Sequence, residues 1–173
     1  GCLRHKGLIP WDDDVDVCVY KEDMVKIEQV LTPFLRDHDY SIVDSPGFGY
    51  QVFHNSDSVK IPGNPFNLRY PFADIFVMER KGDMCQLFEE KGRVVYPQMY
   101  FKIKDVENGE PRLYGDVYLN CIANPEEYLK RNYGEDWYTQ GATHNLDHMN
   151  DVFLKPVRFE LSQEHYEPAK PFR

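Results

Sequence analysis

Four carboxylates, Asp12, Asp13, Asp14 and Asp16, stand within five residues of one another in the run IPWDDDVDVCVY. On a strand, alternate side chains share a face, so Asp12, Asp14 and Asp16 point one way with Cys18 while Val15, Val17 and Val19 point the other. Like charges at that spacing repel unless a cation sits between them. Mg²⁺ meets the need: it takes oxygen ligands, usually one or two protein carboxylates, and fills its other positions with water and phosphate oxygens. Asp14 and Asp16 are therefore candidate ligands for Mg²⁺, with Mn²⁺ as the alternative ion, and the chemistry they point to is that of a metal-bound phosphate. A calcium loop started at Asp12 fails, because Val17 stands where that loop needs glycine and Asp23 where it needs a bidentate glutamate.

The elements that must hold this strand are legible in outline. After it, KEDMVKIEQVL places Met24, Ile27, Val30 and Leu31 at helical spacing, and Thr32-Pro33 fits either a stop or a fresh helix start. Five strand-like segments follow: Tyr40 to Asp44, Tyr50 to His54, Ala73 to Met78, Met84 to Glu90 and Arg93 to Pro97, punctuated by SPGFG and IPGNP. Asn124 can cap a helix that has Pro125 at its first position, Glu126 and Glu127 in its first turn and Gly134 at its end, with Lys130 and Arg131 solvated. Beyond Trp137 no period is sustained, and residues 138–173 read as an irregular tail. Within that tail His144 and His148 have the i, i+4 spacing of a transition-metal pair, but nothing in THNLDH argues for the helix such a pair requires.

Composition narrows the function classes. The chain has 173 residues, 14% of them aromatic, enough for one domain with its own core. A formal charge of −9 with scattered Lys and Arg argues against nucleic acid as a partner. The cysteines, Cys2, Cys18, Cys85 and Cys121, form no C-x-x-C pair and read as free thiols, a disulfide remaining open. No apolar run reaches the length of a membrane span and no charged-then-apolar stretch opens the sequence, so neither a span nor a signal peptide is expected within these residues.

The run GCLRHKGLIPWDDDVDVCV resembles the signature of the LicD family, which includes bacterial phosphocholine transferases, fukutin and fukutin-related protein. Two later segments agree, FADIFVM (72–78) and NPEEYLKRNYGEDW (124–137). The resemblance implies a nucleotidyltransferase-like α/β (α+β) fold, a mixed sheet flanked by helices, with acids on two neighbouring strands gripping Mg²⁺. It also implies transfer of a phospho-alcohol, such as phosphocholine or ribitol phosphate, from a CDP-linked donor to a glycan or glycolipid hydroxyl. Asp74 matches the family's third acid, as a ligand or as the base for the attacking hydroxyl, and Asp12 is a further ligand or base. Arg4, His5, Lys6 and Gly7 lie just ahead of the acidic strand, where the donor's diphosphate would rest. Asp13, on the other face, is expected to be held by Arg4 or Lys6. A non-catalytic relative assisting a glycosyltransferase and a true nucleotidyltransferase are the rival readings. The family's helix before R-H-K-G is absent, so the domain is expected to begin upstream of Gly1. The compartment stays open, Golgi lumen for a eukaryotic source and cytoplasm for a bacterial one.

Overall fold

The alternation of the acidic run becomes a strand, β1 (Val15–Tyr20), and its register decides the architecture around it. The computed structural model describes residues 1–143, 146–150 and 152–170. Its main sheet contains β2 (Tyr40–Ser45), β3 (Gly49–His54), β4 (Ala73–Lys81), β5 (Met84–Leu87) and β6 (Tyr100–Lys102), paired antiparallel in that order. β1 joins β4 in parallel, which makes the sheet mixed and the fold α+β. The same residues of β4, 73–76, pair with β1 and with β3, so these two strands lie on opposite edges of it.

One face of the sheet is covered by a helical run over 21–37, α1. Ile27, Tyr50, Ile75 and Val77 are buried there, with Val17, Val19, Met24 and Leu31 packed against them. The valines of β1 thus lie in the core, as the period of two predicts. Thr32-Pro33 neither stops nor restarts the helix. Pro33 has no N–H to donate, and the chain passes it by widening to π geometry over Ile27–Leu31 before α-helix resumes at Thr32–Asp37. The Thr32 hydroxyl donates to the Ile27 carbonyl at 2.9 Å.

The other face carries two apolar clusters, Phe76, Met78, Cys85 and Leu87 at one end and Phe53, Ile61 and Phe72 at the other. Between them lie the polar residues described below. The segment Arg93 to Pro97, expected as a strand, is instead the end of a helix, α2 (Glu90–Val95). Its β-branched residues find no edge to pair with: Val94 is 74% exposed, and the Arg93 guanidinium donates to the carbonyls of Leu87 and Phe88. The expected strand from Met84 accordingly ends at Leu87. A short helix, α3 (Ile103–Glu107), leads to a hairpin of β7 (Glu110–Tyr114) and β8 (Val117–Cys121). The closing helix, α4 (Pro125–Tyr133), ends at Gly134 with φ +95°. Asn124 precedes it but caps nothing; its amide donates to buried Asp105 at 2.6 Å. After α4 the chain returns across the molecule, with β9 (Gln140–Ala142) pairing β10 (Arg158–Glu160). The described cysteines are free thiols, and only Cys85 is buried.

Gly49 is the point where β3 approaches β4 most closely. Its φ is +141°, and a Cβ there would stand 2.2 Å from the Ile75 carbonyl oxygen. Gly49→Ala is expected to destabilise the fold by about 2–4 kcal/mol through backbone strain and overpacking, read as a shift in the denaturant midpoint. An unchanged midpoint would refute this account of the β3–β4 contact.

Candidate functional site

Parallel register places Asp16 of β1 directly beside Asp74 of β4, and antiparallel register places Gln51 of β3 beside Asp74 on its other side. A row Asp16–Asp74–Gln51 therefore crosses three strands on the face away from α1. Asp14, just before β1, adds a third carboxylate on the same side of the chain as Asp16. Ligand oxygens of Asp14, Asp16 and Asp74 all lie within 4.8 Å of one another. The Gln51 amide donates to Asp74 Oδ1 at 3.3 Å, which holds that carboxylate. Asp16 is open to solvent.

Five tyrosines lie near enough to feel these acids. The phenols of Tyr70, Tyr96, Tyr114, Tyr128 and Tyr133 are all pushed above their ordinary range, first by burial and further by the acids nearby. They come from four places in the chain, since Tyr128 and Tyr133 share α4, and an aromatic ring offers a face on which a planar group can stack.

The acids themselves are held away from their usual charge state. Burial, reinforced by Asp12, raises Asp14 to about 6, with His148 opposing. Burial, reinforced by Asp14 and Asp74, raises Asp16 to about 7. Asp74 is raised by burial, against the hydrogen bond from Gln51 and the influence of His148. Three oxygen ligands converging from two strands, each costly to ionise unaided, fit a hard divalent cation in number and chemistry.

His148 is the site residue that sequence reasoning valued least. Its Nδ1 donates to Asp13 Oδ1 at 2.8 Å, its Nε2 lies 3.5 Å from Asp14 Oδ2, and its ring meets Phe72 edge-on at 5.2 Å. Asp13, His148 and Asp14 form a second group of ligand atoms that shares Asp14 with the first. His148 works here through a turn, without the helix its spacing from His144 would have needed; His144 lies outside the described residues. Asp13 is engaged by this tail histidine, where Arg4 or Lys6 had been expected. Gln51 was missed as well, because a glutamine in a strand looks like any solvated polar residue until its partner across the sheet is known.

The residues expected at the diphosphate, Arg4, His5, Lys6 and Gly7, make contacts of their own within the protein or stand exposed. The Arg4 guanidinium donates to the carbonyls of Trp137 and Gln140, and it sits 5.5 Å over the Trp11 ring. His5 is 2% exposed, with Nε2 donating to the His165 carbonyl at 2.9 Å. Burial and the Arg4 charge lower His5 to about 4, so it is neutral at physiological pH. Gly7 is buried where a Cβ would stand 2.8 Å from Pro168. Lys6 is exposed, in a turn with φ +54°. Trp11 packs edge-on against His5, Phe159 and His165. Arg4, His5, Gly7 and Trp11 thus grip the tail. On α4, Arg131 is not solvated; it stacks 3.8 Å over the Tyr100 ring.

Residues 1–121 match the family described as LicD/FKTN/FKRP, nucleotidyltransferase domain. An uncharacterized protein of Rickettsia typhi is 26% identical over 178 residues, covering 99% of this chain and 50% of that protein. Another, of Rickettsia prowazekii, is 24% identical over 176 residues, covering 99% of this chain and 59% of that protein. The lipopolysaccharide cholinephosphotransferase LicD of Haemophilus influenzae is 40% identical over 38 residues, 22% of this chain and 14% of that enzyme. The chain therefore spans a little over half the length of the two rickettsial relatives.

The raised acids carry a sign that can be tested. Folded values of about 6 and 7, against an ordinary 3.8, mean that the folded protein binds more protons than the unfolded chain between about pH 4 and 7. Their contribution to metal-free stability falls as pH rises through that window. In chelator, Asp16→Asn is expected to melt higher than the parent at pH 8 and to lose most of that advantage at pH 5. An advantage that is absent at pH 8, or that grows on acidification, would contradict this reading.

Proposed function

Because the chain belongs to the LicD/FKTN/FKRP nucleotidyltransferase-domain family, we propose that it is the catalytic domain of a divalent-metal-dependent phosphotransferase. It would move a phospho-alcohol of the phosphocholine or ribitol phosphate type from a CDP-linked donor to a glycan or glycolipid hydroxyl. The observation that carries this reading is the convergence of Asp14, Asp16 and Asp74, whose ligand oxygens lie within 4.8 Å of one another where β1 pairs with β4.

Asp14, Asp16 and Asp74 would hold Mg²⁺, with Mn²⁺ as the alternative. When bound, the cation offsets the negative charge of the donor's diphosphate as the bond to the leaving nucleoside monophosphate breaks. The protein's own part is positional. The three carboxylates would orient the diphosphate by way of the cation they hold, a nearby tyrosine would stack on the cytosine ring, and Asp12 would accept the proton of the attacking hydroxyl. Asp13 and His148 would steady Asp14. Lys6, the exposed cation of the turn ahead of β1, is assigned to the phosphates; Arg4, His5 and Gly7 serve by fixing the loop that leads into the acidic strand. No described helix is long and apolar enough to cross a membrane. A lipid-borne acceptor would therefore be met at a surface or through another part of the protein.

The test is a donor panel of CDP-choline, CDP-ribitol, CDP-glycerol, GDP-mannose and nucleoside triphosphates, incubated with Mg²⁺ and candidate glycan acceptors. CMP release is expected from at least one CDP donor, and Asp14→Ala and Asp16→Ala are each expected to lower it at least about a hundredfold. Pyrophosphate from a triphosphate would assign the protein to nucleotidyl transfer. CMP release that survives both substitutions would mean that the chemistry lies elsewhere on the molecule.

A further inference from the structure

Gln51 lies in the middle of β3, 3% exposed, between the apolar clusters at the two ends of its face. An amide so buried normally satisfies both of its ends. Here the N–H end is met, by Asp74 Oδ1 at 3.3 Å, while Gln51 Oε1 has no hydrogen-bond donor among the described residues. Turning the amide over does not help, because it would set a carbonyl oxygen against a carboxylate oxygen. In the cation-bound site the neighbouring acids are ionised and only accept, so they supply no hydrogen to this oxygen either. If stability alone decided this position, an apolar side chain of the same length would serve better than an amide with one end unmatched.

We infer that Gln51 is the positioning residue of the acidic site: its N–H fixes one oxygen of Asp74, and its Oε1 receives a hydrogen carried in with the cation, from a bound water or a hydroxyl. A hydrated divalent ion presents only hydrogen donors at its periphery, so it supplies what this oxygen lacks. With Oδ1 tied to Gln51, Asp74 has its other oxygen to offer toward Asp14 and Asp16. The inference rests on the phosphotransferase reading, in which these three acids hold the metal, and it names the residue that sets the angle of the third.

The experiment titrates Mn²⁺ alone into the wild-type chain, Gln51→Met and Gln51→Leu, following free Mn²⁺ by electron paramagnetic resonance, with thermal melts of the metal-free proteins alongside. Both variants are expected to bind Mn²⁺ 10- to 100-fold more weakly, the usual loss when the partner of a metal-ligating group is removed. Their metal-free melting temperatures are expected to equal or exceed the parent's. Wild-type affinity in both apolar variants overturns the inference. So does failure of both to fold, since Gln51 would then serve the fold. A wild-type chain that takes up no Mn²⁺ fails differently: it removes the metal reading itself.

Discussion

The parallel pairing of β1 with β4 is the constraint on which the rest of the molecule depends. Strands in a sheet lie about 4.8 Å apart, so setting Asp16 against Asp74 holds two carboxylates close enough to repel one another when both are ionised. The same register stacks Val17 beside Ile75 and Val19 beside Val77, and those residues are the floor on which α1 packs. Slipping β1 by one residue would exchange the two faces, burying the acids under α1 and exposing the valines. The hydrophobic core therefore acts as the alignment device of the site. Its apolar contacts oppose the repulsion between carboxylates, and neither face can be rearranged without disturbing the other.

A second layer of constraint comes from the loop that delivers β1. Arg4, His5, Gly7 and Trp11 surround the returning chain, through the carbonyls of Trp137, Gln140 and His165, the ring of Phe159 and the close approach of Pro168. The Leu8 carbonyl accepts from Ala169 N–H at 2.9 Å, which closes the clasp with backbone. Between these anchors the same returning chain sets His148 against Asp13 and Asp14. The basic residues ahead of the acidic strand thus act on it at a distance. They hold the tail, and the tail braces the acids.

How much of this was legible in the sequence follows from the range of the interactions involved. β1, with its apolar and acidic faces, could be read because alternation is local, and so could the strands at Tyr40, Tyr50 and Ala73 and the helix closed by Gly134. The segment at Arg93 misled because β-branched residues favour strand only where an edge awaits them, and here Gly92 packs against Gly47 with no room for a side chain, which draws the chain into a helical turn. Pro33 misled for the opposite reason, since a π turn satisfies the backbone where an α turn could not. Spacing and a resemblance put Asp14, Asp16 and Asp74 forward, and the fold brings their oxygens together. Gln51 and His148 escaped both, because their significance lies in partners 23 and 135 residues away, which no local pattern records.

The two halves of the acidic cluster differ in what compensates them. Asp13 is answered from within the protein, by a histidine carried on the tail. Asp14, Asp16 and Asp74 are answered only in part: Gln51 supplies one hydrogen to Asp74, His148 touches the flank of Asp14, and the remaining field pushes protons onto the carboxyls. A fold that needed only stability would have distributed its donors more evenly, because each raised acid weakens the folded state at neutral pH. The imbalance makes sense if the missing charge arrives with a ligand. The apolar packing of β1 beneath α1 is what holds these carboxylates together against their repulsion.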